Sequence, residues 1–73
     1  MTPATVPDPY IVLGLRLPPH QKLVLLALAL RVHPDGWAPT IAQLAADTEL
    51  PAYTVREALD ALAGAGLIQV HAR

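Results

Sequence analysis

Tyr53, Arg56, Glu57 and Asp60 lie within one short stretch of the chain, at intervals of three and four residues. That spacing gathers them on one side of a helix, because positions three and four apart are neighbours on a helical surface. A phenol both donates and accepts hydrogen bonds, and a guanidinium presents several donors in a flat fork. Such a pair recognises polar surfaces. Arg56 has a second use, since Asp60 four residues on stands at the interval of an ordinary helical ion pair. The sequence leaves both uses open.

Nothing else in the chain points to catalysis. There is no Ser and no Cys, no glycine-rich phosphate loop, and no acid and base at a credible spacing, so no enzyme activity is expected. The histidines, His20, His33 and His71, are far apart. None has a carboxylate at a metal-binding interval, so they are read as surface or helix-end residues, with no metal and no cofactor.

At 73 residues, the chain allows one domain, and small domains bury only about 60% of their unfolded surface. The core must be aliphatic, since 53% of residues are hydrophobic while Phe is absent and Trp occurs once. The N-terminus MTPATVPDPY lacks the basic start and apolar stretch of a signal peptide. Residues 23–30, the longest apolar run, fall far short of the ~20 residues that span a bilayer. A cytoplasmic protein with no membrane contact is expected.

The formal net charge is -1. Its distribution is uneven: within residues 1–33 Arg16, Lys22 and Arg31 stand against Asp8 alone, whereas within residues 40–66 Asp47, Glu49, Glu57 and Asp60 stand against Arg56 alone. The 40–66 stretch is therefore acidic.

These residues have to be positioned by a few elements. Prolines at 3, 7, 9 and 18 predict a flexible arm over residues 1–9, ahead of a domain over 10–73. Residues 10–17, YIVLGLRL, read as a strand or as an irregular apolar strap across the helices. Pro18 and Pro19 open a first helix over 20–32, closed by the turn chemistry of Pro34, Asp35 and Gly36. That helix is apolar nearly all round. Leu23, Leu26, Ala27 and Leu30 make one face, with Val24, Leu25, Leu28 and Val32 over much of the rest, so it needs cover on more than one side. The cover is either the 10–17 segment folding back or a second copy of the chain.

Trp37 and Ala38 are expected to form a minimal strand against residues 67–70, with Trp37 as a core plug. Thr40 and Gln43 form a capping box at the start of a second helix, whose core face is Ile41, Leu44, Ala45 and Thr48; Gln43 and Asp47 are left for solvent or a phosphate-facing edge. Leu50 tucks inward at the turn. Pro51 begins a third helix with Val55, Ala58, Leu59 and Leu62 inside, and Gly66 supplies a left-handed cap. Its outward face is then Ala52, Tyr53, Arg56, Glu57, Asp60 and Ala63.

The order of helix, tight turn, helix and strand in TIAQLAADTELPAYTVREALDALAGAGLI resembles the winged helix-turn-helix domains of bacterial transcriptional regulators and of plasmid or phage replication initiators. The similarity rests on Pro39 to Ala45 at the start of the second helix, on Leu50 to Leu62, and on the A-G-L-I exit at Ala65 to Ile68. LPPHQKLVLLALAL also looks like the helix found upstream in initiators. The resemblance implies a mainly α fold, a three-helix winged helix-turn-helix with a minimal two-stranded sheet and a truncated or missing wing. It implies that the third helix enters the major groove of double-stranded DNA. Base and phosphate contacts then fall on Ala52, Tyr53, Arg56 and Glu57, with Thr54 near the backbone. Tyr53 would reach a phosphate or a thymine methyl, and Arg56 would pair with guanine O6 and N7. Thr40 and Gln43 would add phosphate contacts, as would Arg73 and His71 from the stub of the wing.

Two departures from the family pattern matter. Ala52, Glu57 and Asp60 stand where relatives often carry Arg or Lys, and the chain stops at Arg73, before a returning wing strand. The expected function is a small regulator, or a replication or partition accessory factor, that binds DNA as a homodimer through the 20–32 helix or the N-terminal segment. Arg16, Lys22 or Arg31 would add phosphate contacts if the dimer brings them near. The alternative is a protein-interaction module, in which the near-neutral third helix or the apolar first helix docks on a protein partner.

Overall fold

The computed structural model describes residues 4–31 and 39–70. The fold is mainly helical. In chain order its elements are β1 (Ala4–Thr5), α1 (Pro9–Gly14), α2 (Pro19–Arg31), α3 (Ile41–Thr48), α4 (Ala52–Gly64) and β2 (Gln69–Val70). Trp37 and Ala38, the expected partner strand, lie outside the described residues, as do Val32, His33, His71 and Arg73. The strand partner within the described residues is instead β1, antiparallel to β2 with Ala4 opposite Val70 and Thr5 opposite Gln69.

The segment read as a strand or strap contains a helix. Asp8 begins α1 by accepting a hydrogen bond at Oδ1 from the Tyr10 amide at 2.8 Å, and Pro9 occupies the first helical position. Proline is pre-set for that position, and an Asp cap satisfies an amide that the first turn leaves unpaired. The helix lasts six residues and ends at Leu15 in extended geometry, whose amide donates to the Val12 carbonyl. Only Val12 of this helix is buried. Pro9 thus belongs to α1, and Ala4–Thr5 to a strand pair, within what the proline pattern predicts as a flexible arm.

Helix α2 is the centre of the packing and lies against α1, α3 and α4. Val24, Leu25 and Leu28 are its buried residues. They join Val12, Leu44, Val55, Ala58, Leu62 and Ile68 in one aliphatic core. Cover by α1 is therefore partial: Leu23 and Leu30 stay 42% and 68% exposed.

Helix α3 starts as its sequence predicts. The Thr40 hydroxyl accepts from the Gln43 amide at 3.1 Å, and Gln43 Oε1 accepts from the Thr40 amide at 2.9 Å. At the other end, buried Thr48 donates from Oγ1 to the Leu44 carbonyl at 2.7 Å, so its burial leaves no orphan hydroxyl. Glu49 then takes a left-handed conformation, φ 57, which turns the chain so that half-buried Leu50 packs on the core. Pro51 begins α4 with its carbonyl accepting from Thr54 and Val55.

The end of α4 separates two glycines. Gly66 has φ 77, and the Leu67 amide reaches back to the Leu62 carbonyl at 3.0 Å, closing the helix end. Gly64 is helical, with open space where a Cβ would stand. Opposite signs are expected from one substitution. Gly66→Ala should lower stability by about 1–2 kcal/mol, the cost of a side chain in the left-handed region, whereas Gly64→Ala should raise it by up to about 0.5–1 kcal/mol. Urea unfolding midpoints of the two variants check this directly.

Candidate nucleic-acid interface

Helix α4 carries the candidate residues because its inner face is fully committed. Val55, Ala58 and Leu62 are buried and Leu59 is half-buried. A helix anchored at those positions must present the intervening ones outward. Ala52, Tyr53, Arg56, Glu57, Asp60 and Ala63 are all exposed, with Tyr53 at 65%. Tyr53 and Arg56, three residues apart, are thus exposed on the same side of α4.

Among the described residues, Arg56 is not spent on an internal ion pair. The pair formed among the described residues is Arg31–Asp47, and Arg56 and Asp60 form none. Its side chain is exposed to solvent. Glu57 and Asp60 share the exposed face, so this surface carries two carboxylates against one guanidinium. Phosphate approaching it meets mixed charge.

Thr54 sits differently. It is half-buried, and with Glu57 it lines a cleft of about 280 Å³ between the middle of α4 and the first turn of α2, where His20 and Gln21 form the opposite wall. Sequence reasoning overlooked His20 and Gln21 here. The signal was available in Pro18 and Pro19, which start α2 beside the helix it packs on most extensively.

Thr40 and Gln43 are exposed at the start of α3, but each already has a partner in the capping box. The Thr40 hydroxyl can still donate, and the Gln43 amide nitrogen likewise, so phosphate contact is compatible with the cap. Ala52, Tyr53, Arg56 and Glu57 are gathered on α4, while Thr40 and Gln43 belong to a separate helix start. Arg73 falls outside the described residues.

Two of the three supplementary cations are engaged within the fold. Lys22 donates from Nζ to the Leu13 carbonyl at 2.7 Å, which ties α2 to the C-terminal turn of α1. Arg31 grips Asp47 through Nε to Oδ2 and through Nη2 to Oδ1, the latter at 2.9 Å. Asp47 is exposed, as expected, but it is also paired, because α2 and α3 pack together and bring a cation sixteen residues away onto the carboxylate. Arg16 is exposed.

The Arg31 hydrogen bond, and then its charge, hold the Asp47 carboxyl below its ordinary range, partial desolvation opposing them. The same hydrogen bond and charge raise Arg31 further. A carboxylate whose pKa is lower folded than unfolded stabilises the fold above its unfolded pKa, and that stabilisation is lost as pH falls through the folded value. Asp47→Asn should therefore flatten the acid end of the stability profile. The effect should shrink in high salt, since both side chains are partly exposed, 44% and 29%. Chemical unfolding followed between neutral and strongly acidic pH measures it.

Among the described residues, no group of three or more acidic, histidine or cysteine side chains is placed to hold a metal ion, and no helix is long and apolar enough to cross a membrane. In comparison with known proteins, the sequence matches no family model and no curated protein, and no solved structure matches it.

Proposed function

We propose that the protein is a double-stranded DNA-binding domain of the winged-helix type, with α3, the Glu49 turn and α4 forming the helix-turn-helix and α4 entering the major groove. The observation that carries the reading is the joint exposure of Tyr53 and Arg56 on a helix whose opposite face is locked into the core. A helix-turn-helix places its second helix in the groove, with the residues of its first turns on base edges. Here those positions are Ala52, Tyr53 and Arg56. Small Ala52 permits close approach, Arg56 offers the bidentate fork that suits guanine O6 and N7, and Tyr53 supplies a phosphate donor or an apolar contact to a thymine methyl. Thr54 and Glu57 border the contact, while Thr40 and Gln43 take flanking phosphates.

In this reading the protein acts in the cytoplasm as a homodimer, as a small transcriptional regulator or as an accessory factor in replication or partition. It needs no cofactor and performs no catalysis. In the same reading the β1–β2 pair takes the place of the sheet.

One feature favours a second reading. Glu57 and Asp60 are exposed on the same face as Arg56, which suits a partner carrying cationic groups better than it suits phosphate. A protein-interaction module would use this face, or the apolar side of α2, without strong DNA affinity. Fluorescence anisotropy on labelled duplex DNA at rising salt separates the two. DNA binding predicts a log-log slope of about -0.9 per phosphate contact. Absence of binding at low salt favours the protein module.

A further inference from the structure

The cleft between α2 and α4 brings an ionisable group to the edge of the α4 surface from another helix. His20 and Gln21 line one wall and Thr54 and Glu57 the other, with Ala58 and Ala61 as apolar lining, over a volume of about 280 Å³. We infer that His20 is a DNA-phosphate contact made by its protonated ring, so that duplex affinity rises as pH falls through the histidine range. The inference rests on the DNA-binding reading above and deepens it by adding a contact from α2 and a proton to the binding equilibrium.

The place of the cleft on α4 selects a phosphate as its ligand. Successive residues of a helix are turned by about 100°. Thr54 and Ala61 therefore stand about 80–100° round the axis from Tyr53 on one side, and Arg56 stands about 60° away on the other. The outward strip of α4 thus has Arg56 along one flank and the first turn of α2 along the other. A helix fills most of the major groove, which is about 12 Å wide, so a phosphate strand runs beside each flank. An element packed at the side of such a helix meets the backbone before it meets a base edge. The first turn of α2 has that position, and His20 there is exposed.

The side chains of the cleft make the contact depend on a proton. Glu57 is the carboxylate among its lining residues, and it repels phosphate. Gln21 and Thr54 can donate hydrogen bonds but bring no charge. A neutral imidazole leaves the cleft negative, whereas an imidazolium offers two donors and cancels the Glu57 charge. The neighbouring charges do not replace it. Arg56 is on the other flank, and Asp60 on the outward strip adds to the repulsion. Lys22 directs its Nζ to the Leu13 carbonyl, and Asp8 caps α1 through the Tyr10 amide. Arg16, exposed between α1 and α2, keeps its charge throughout this pH range. Glu57 faces His20 with and without DNA, so the difference between the two states is the phosphate. A phosphate beside the ring favours its charged form. Binding then takes up a proton and tightens as pH falls.

Fluorescence anisotropy with a labelled duplex of mixed sequence tests this at about pH 8 and about pH 5.5, on either side of the ordinary histidine range. Between the higher and the lower pH the unmodified protein should tighten at least about threefold, the scale of one exposed charged contact. Its salt slope should steepen by about 0.9, the value of one added phosphate contact. His20→Gln keeps a donor but cannot ionise, and should lose both responses. His20→Lys carries a fixed cation, and should bind at the higher pH about as tightly as the unmodified protein does at the lower. Both variants should keep the helical circular dichroism, because position 20 is exposed. His33→Gln and His71→Gln should retain the response of the unmodified protein.

Equal affinity of the unmodified protein at the two pH values overturns the inference and leaves the DNA reading standing. So does a His20→Gln variant with the full pH response, or a His20→Lys variant no tighter than the unmodified protein at the higher pH. Absence of duplex binding at both pH values overturns the inference and the DNA reading together.

Discussion

Leu25→Ala is expected to lower the free energy of unfolding by about 2–5 kcal/mol, the range for truncating a fully buried leucine. Leu25 is completely buried on α2, the helix that touches each of the other three. A cavity there loses contacts to several elements at once, and the neighbours cannot all move in to fill it. For a chain of 73 residues, total stability at 0.05–0.15 kcal/mol per residue is only about 4–11 kcal/mol. The loss is thus a large fraction of the whole. Leu30→Ala on the same helix removes the same atoms from a side chain that is 68% exposed, and should change stability by no more than about 0.5 kcal/mol. Urea denaturation of the two variants tests which side of α2 faces the core. Similar losses in both would show that the assignment of faces is wrong.

The second large effect concerns DNA affinity. Arg56→Ala should weaken binding to a preferred duplex by about 1–3 kcal/mol, the value of a bidentate base contact, which corresponds to roughly 5- to 150-fold at 1.36 kcal/mol per tenfold. If Arg56 touches phosphate instead, the weakening is similar on every sequence and the salt slope falls by about one. Helical circular dichroism should be unchanged, because the side chain is exposed and has no ion-pair partner among the described residues. Glu57→Lys acts in the opposite direction. It removes a repulsive carboxylate beside Arg56 and adds a cation, so affinity should rise and the salt slope steepen. A competition assay on a panel of duplexes reads both variants. No change in either would move the contact surface away from α4.

The parts of this arrangement that were legible in the sequence are those set by near neighbours. Thr40 and Gln43 are three residues apart, and that interval is itself the capping box. The inward positions of α4 follow from helical spacing, which leaves Tyr53 and Arg56 outside without reference to anything distant. The positive φ of Gly66 follows from its place just beyond a helix with no residue able to continue it. Local chemistry decides each of these.

The parts that were not legible depend on contacts between distant residues. The segment at Tyr10 has two β-branched residues, Ile11 and Val12, which favour a strand on propensity, although Gly14 weakens that reading. The Asp8–Pro9 start overrides that preference by satisfying the first turn, and packing of Val12 on α2 completes it. The Arg31–Asp47 pair could not be read from spacing, since its partners meet only when α2 and α3 pack. The pairing of Ala4–Thr5 with Gln69–Val70 joins opposite ends of the chain, and two-residue strands carry almost no pattern of their own. The same limit applies to the exposed surface of α4, where exposure is shown by the fold but any affinity for DNA depends on charges that local spacing leaves mixed.

The most direct test is the salt dependence of duplex binding by the unmodified protein and by Tyr53→Ala/Arg56→Ala. The account predicts that the unmodified protein binds at low salt and loses affinity steeply as salt rises, while the double variant, equally folded, binds at least about tenfold more weakly. Equal affinities for the two proteins, or no binding to duplex DNA at any salt concentration, would contradict it.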